Sequence, residues 1–124
     1  MSSGPRIRLP FLLVTVASFL FGASASAHAV LLESSPALKS SISGPDVPLR
    51  LRFNVRIDAA RSRLTLVDPD GASRTIEIGT QELPNTLFAQ ARGLRPGFYR
   101  LRWQVLAADG HITRGEIPFT VVTP

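Results

Sequence analysis

Phe98-Tyr99-Arg100-Leu101-Arg102-Trp103-Gln104-Val105 alternates apolar and polar residues without a break. Successive strand side chains point to opposite faces, so Tyr99, Leu101, Trp103 and Val105 are expected to face a core and Arg100, Arg102 and Gln104 to face solvent. Leu94-Arg95-Pro96-Gly97 precedes it as a turn, with Pro and Gly suited to the two central positions. Ala108-Asp109-Gly110-His111 ends the alternation. Glu116–Val122 is the closing strand, and Pro118, which cannot donate to a ladder, argues for an edge position or a bulge there.

The same period of two recurs on either side. Leu49, Leu51, Phe53 and Val55 share one face of a half-buried strand. Val30–Glu33 opens the domain as a short strand, and Ser34-Ser35-Pro36 and the stretch through Ser43-Gly44-Pro45 read as turn and loop. Arg63–Val67 and Arg74–Ile78 form a hairpin across the turn Asp68-Pro69-Asp70-Gly71, and Leu87–Ala91 adds a further strand. About seven short strands with no convincing helix predict an all-β fold, an antiparallel β-sandwich or Greek-key barrel.

The N-terminal residues have a different character. Two arginines lie in residues 1–10, an apolar run covers Phe11–Gly22, and Ala25-Ser26-Ala27 has the small-x-small pattern cut by a signal peptidase. The run is shorter than the roughly 20 apolar residues of a spanning helix. Residues 1–27 are therefore expected to be a cleavable secretory signal peptide. Residues 28–124 are expected to be one exported domain outside the inner membrane, a monomer with no stable membrane insertion after cleavage. His28 becomes the first residue of that domain.

Without Arg6 and Arg8 the 14 Lys and Arg fall to 12, against nine Asp and Glu. The arginines are scattered from Arg50 to Arg114 with no aromatic interleaving, so no nucleic-acid partner is expected. Arg50, Arg52, Arg100 and Arg102 decorate outer strand faces, with docking of an acidic partner as the alternative reading. The absence of cysteine excludes disulfides, thiolate metal sites and Cys nucleophiles, and restricts any metal site to His, carboxylate and backbone ligands.

The two histidines, His28 and His111, are the only candidate bases, and they form no Ser-His-Asp arrangement. Asp68-Pro69-Asp70-Gly71 lacks the length and acid spacing of a calcium loop. His111 lies two residues after Asp109. In extended backbone that spacing puts an oxygen and a nitrogen on one face, and Gly110 lets the chain bend. A terminal His28 adds an α-amine and an imidazole. Three nitrogens and one carboxylate suit Cu(II). Each residue also has an ordinary reading: His28 as a polar residue after a cleavage site, Asp109-Gly110 as a turn pair, His111 as a loop histidine. Glu33 could accept a hydrogen bond from an imidazole or be a solvated charge. Trp103 could shield the site or belong to the core.

The residues resemble the CopC-type periplasmic copper-binding family at four places. These are the opening His28-Ala29-Val30-Leu31-Leu32-Glu33-Ser34-Ser35-Pro36-Ala37; Pro48–Phe53; Leu94–Trp103 with its Pro-Gly-x-Tyr-x-x-x-Trp pattern; and Asp109-Gly110-His111 followed by Gly115 and Phe119-Thr120-Val121. The resemblance implies an Ig-like Greek-key barrel. It implies Cu(II) bound by the amine and ring of His28, by Asp109 and by His111, in a non-enzymatic carrier or buffer for copper homeostasis and resistance. Some members work beside a copper-transporting inner-membrane protein. Others carry a Met-rich Cu(I) site, which this chain lacks, since Met1 is its only methionine. Two rival readings are a copper-dependent monooxygenase-like enzyme, which shares the terminal-histidine brace, and a metal-free Ig-like interaction module.

Overall fold

The structure, a computed structural model, describes residues 28–124. The expected signal peptide, residues 1–27, lies outside them. Eight strands follow in order: β1 Leu31–Ser35, β2 Ser40–Ser43, β3 Val47–Phe53, β4 Ile57–Val67, β5 Ser73–Ile76, β6 Thr86–Ala91, β7 Gly97–Ala107 and β8 Ile112–Val122. They form a three-stranded sheet, β1-β3-β6, and a five-stranded sheet, β2-β8-β7-β4-β5. The all-β sandwich expected from the alternation is present.

The inner faces follow the predicted parity. Tyr99, Leu101, Trp103 and Val105 of β7 are buried, as are Val47, Leu49, Leu51 and Phe53 of β3, and Val55 beyond β3 packs partly buried against this core. Phe53 meets Trp103 edge-on across the sandwich, ring centroids 5.2 Å apart, and Tyr99 stacks on Phe119 at 5.7 Å. These pairs couple one sheet's apolar face to the other's and order neighbouring strands. The Tyr99 hydroxyl donates to the Arg95 carbonyl at 2.7 Å, which satisfies its one polar atom and ties β7 to the preceding turn.

Three expectations need correction. Ser34 and Ser35, read as turn, close β1, where they pair with Leu51 and Arg50 of β3. Ser40–Ser43, read as loop, is β2, and it runs parallel to β8 with Ser40 opposite Phe119 and Ser43 opposite Val122. The chain changes sheets after β1 and arrives beside β8 in the same direction. With one apolar residue, Ile42, β2 has no alternation to reveal it. Nor is β8 an edge strand over its whole length. Pairing with β2 begins at Phe119, so Ile112–Ile117 is flanked by β7 alone and the rest of β8 is interior. Pro118 stands at that junction. Its carbonyl accepts from the Lys39 N–H at 2.6 Å, so its nitrogen, on the same side of the strand, lies where β2 pairing has not yet begun.

Candidate metal centre

The β7–β8 hairpin carries one half of the site. Leu106 pairs with Ile112, the Ala107 N–H donates to the His111 carbonyl at 2.9 Å, and the Gly110 N–H donates to the Ala107 carbonyl at 2.9 Å. Gly110 has φ +92°, a region that favours glycine because a Cβ there crowds the backbone. The Ala108 N–H donates to the Arg56 carbonyl at 3.0 Å and anchors the hairpin tip to the β3–β4 connection.

Asp109 and His111 do meet, but not by extended same-face spacing. They meet through a turn. Asp109 Oδ1 accepts the His111 backbone N–H at 3.1 Å, the i to i+2 bond typical of Asp in turns, and Oδ2 lies 2.8 Å from His111 Nδ1. The His111 ring and then its backbone N–H hold the Asp109 carboxyl below the ordinary carboxylate range, with the nearby His28 adding to the effect. An ionised carboxylate at Nδ1 favours the tautomer protonated there and leaves the lone pair on Nε2, the arrangement by which carboxylates orient metal-binding histidines.

The other half is the start of the described chain. Ala29, 3% exposed, is inserted into the core. The Val30 N–H donates to Asn54 Oδ1 at 2.7 Å, and the Asn54 N–H donates to the Val30 carbonyl at 3.1 Å. His28 is thereby fixed at the mouth of the sandwich, with its ring centroid 5.0 Å from that of His111 at an interplanar angle of 58°. All three residues singled out in the sequence thus gather at one end of the molecule. Among the described residues no group of three His, Cys, Asp or Glu side chains already stands in metal-holding geometry. In the 124-residue chain the His28 nitrogen is a peptide amide rather than an amine.

The remaining candidates resolve differently. Glu33 bonds Arg52 Nε at 2.9 Å and Arg50 Nη1 at 3.2 Å, so it is an ion-pair partner between β1 and β3 rather than an acceptor for an imidazole. Trp103 belongs to the core. Asn54 and Arg56 were not singled out from the sequence. The available signal was an Asn closing an alternating strand, where side-chain to backbone bonding is common. The role of the Arg56 carbonyl leaves no trace in residue type.

The fold and the site together define a two-sheet β-sandwich domain that carries its two histidines and a paired carboxylate at one end. The chain belongs to the CopC family: residues 31–122 match the CopC domain, a span that includes Asp109 and His111. The crystal structure of CopC from Methylosinus trichosporium OB3b is similar, at 30% identity and TM-score 0.72, over 77% of this chain and 95% of that one. Copper resistance protein C of Xanthomonas campestris pv. juglandis is 29% identical over 116 residues, covering 87% of this chain and 91% of its own. Protein YobA of Escherichia coli strain K12 is 26% identical over 116 residues, covering 91% and 94%. The fold is shared with E. coli PcoC at 24% identity and TM-score 0.64.

Proposed function

We propose that the exported chain, beginning at His28, binds one Cu(II) through the His28 amine and ring, His111 and Asp109, and acts as a periplasmic copper carrier or buffer that passes the ion to an inner-membrane transporter. The observation that carries this reading is the approach of the only two histidine rings to 5.0 Å, with a carboxylate already bonded to one of them. The donor types fit the ion: imidazole nitrogen with carboxylate oxygen suits Cu(II), which also heads the divalent affinity order. Similarity to proteins named for copper resistance points the same way. The chain's own residues supply position. Ala29 and Asn54 hold the terminus in place, and the hairpin turn presents Asp109 and His111 as a pair. Cu(II) is cargo here. The ligand nitrogens must be deprotonated to bind it, so uptake releases protons and weakens in acid.

The test is a Cu(II) titration followed by EPR on protein processed to His28. One equivalent with a nitrogen-rich tetragonal signal is expected. The three-residue site is wrong if His111→Ala, or an extra residue before His28, leaves the affinity unchanged.

A further inference from the structure

The outer face of the five-stranded sheet carries a separate constellation. Across β4, β7 and β8, Arg63 lies beside Gln104 and Gln104 beside Arg114; one rung along, Thr65 lies beside Arg102 and Arg102 beside Glu116. Adjacent strands are about 4.8 Å apart and a two-residue step is about 7 Å, so three arginines converge around Gln104 from within about 10 Å. They line an open groove of about 570 Å³ whose lining includes Trp103 and Gly115.

Charge is unbalanced there. Glu116 is the one acid lining the groove, and a single oxygen, Oε2, serves both Arg102 at 3.2 Å and Arg100 at 3.5 Å. Arg114 Nε donates to Gln104 Oε1 at 2.9 Å, a neutral partner. The Arg63 side chain makes no hydrogen bond or ion pair among the described residues. Arg63 and Arg114 stand on the two strands that flank β7, one on each side of Gln104. Guanidinium forks match the planar oxygens of carboxylate and phosphate groups, and the volume falls in the range of small-molecule sites.

We propose that this groove binds a small polyanion, a molecule carrying two or more carboxylate or phosphate groups, independently of the metal centre. The test uses copper-free protein at low salt, titrated with citrate, pyrophosphate and acetate. It is followed by calorimetry and by the fluorescence of Trp103, the only tryptophan, which lines the groove. Saturable one-to-one binding of citrate or pyrophosphate is expected, with acetate at least about tenfold weaker. Arg63→Gln and Arg114→Gln should each weaken it by about tenfold, the scale of one lost charge-assisted contact, while Arg50→Gln on the other sheet leaves it unchanged. Thermal melts check the fold of each variant, and Arg63→Lys, which keeps the charge but loses the fork, should bind with intermediate affinity. Absence of saturation by both polyanions, or equal losses in Arg63→Gln and Arg50→Gln, overturns the proposal and leaves only the ion atmosphere of a basic protein.

Discussion

Asn54 bonds Val30 through both of that residue's backbone groups, accepting at 2.7 Å and donating at 3.1 Å, two residues from the ring of His28. It therefore fixes the backbone that carries His28, the proposed ligand. Asn54→Ala keeps the backbone bond and loses the side-chain one, at a cost of about 1 kcal/mol in stability. The copper affinity should fall by more than this implies, by about tenfold, as is usual when a supporting partner is removed. Calorimetric titration beside a thermal melt separates the two effects.

Asp109 is bonded to Nδ1 of His111, so it can act on the metal directly or by orienting the ring. With Asp109 as a direct ligand, Asp109→Asn should lower Cu(II) affinity by more than about 100-fold and alter the EPR parameters. A loss confined to about 10–100-fold with an unchanged spectrum is what removal of an orienting partner produces, and would move Asp109 out of the ligand set.

Gly110→Ala places a Cβ on a backbone at φ +92° with nothing within 4 Å to obstruct it, so the strain is conformational only. A destabilisation of about 1–2 kcal/mol is expected. Because the strain falls between Asp109 and His111, their 2.8 Å contact should loosen. NMR of the His111 ring should register this while the core resonances stay in place.

Gly115→Ala acts by a different route. A Cβ there would meet Trp103 Cζ2 at 2.2 Å, and Trp103 is only 7% exposed and packed against Phe53. The indole must shift within a full core, at a cost of about 1–3 kcal/mol. A lowered Tm and a changed near-UV signal from Trp103 are expected, with copper affinity retained.

The link between β1 and β3 predicts an acid dependence. Hydrogen bonds from Arg52, and then from Arg50, hold the Glu33 carboxyl below its ordinary value of 4.5. A carboxyl depressed in the folded state stabilises the fold fully above its unfolded pKa, and that stabilisation is lost as pH falls through the folded value. The Tm difference between the native chain and Glu33→Gln should therefore be constant above about pH 5.5 and close progressively below pH 4.5. Added salt should narrow it at any pH, since both partners are exposed.

How much the sequence disclosed depended on the kind of interaction. Strict alternation exposed β3 and β7, because their inner residues fill one core. β2 was illegible: three serines and one isoleucine carry no period, and its place is set by pairing with β8. β4 extends well before Arg63 because Ile57 and Asp58 also pair with β7, and the register shift between Asp58 and Arg63 breaks the alternation. At the candidate centre the three proposed ligand residues, two His and one Asp, were legible as chemistry. Asp109-Gly110 was legible as a turn pair, but the bonds by which that turn joins Asp109 to His111, and the Asn54 clamp on Val30, were not, since each depends on a side-chain to backbone bond that residue type does not announce.

The burial of Ala29 has a consequence for any preparation of this protein. With its methyl group seated in the core and Val30 held by Asn54, the start of the domain has a fixed depth and cannot slide to compensate for an altered end. A chain begun one residue early carries its amine about 3.3 Å farther from the His28 ring, and one begun a residue late has lost that ring. On the proposed reading, in which processing leaves His28 as the first residue, the accuracy of that cut would govern the usable capacity of the pool, and a copper stoichiometry below one would report ragged ends rather than weak affinity.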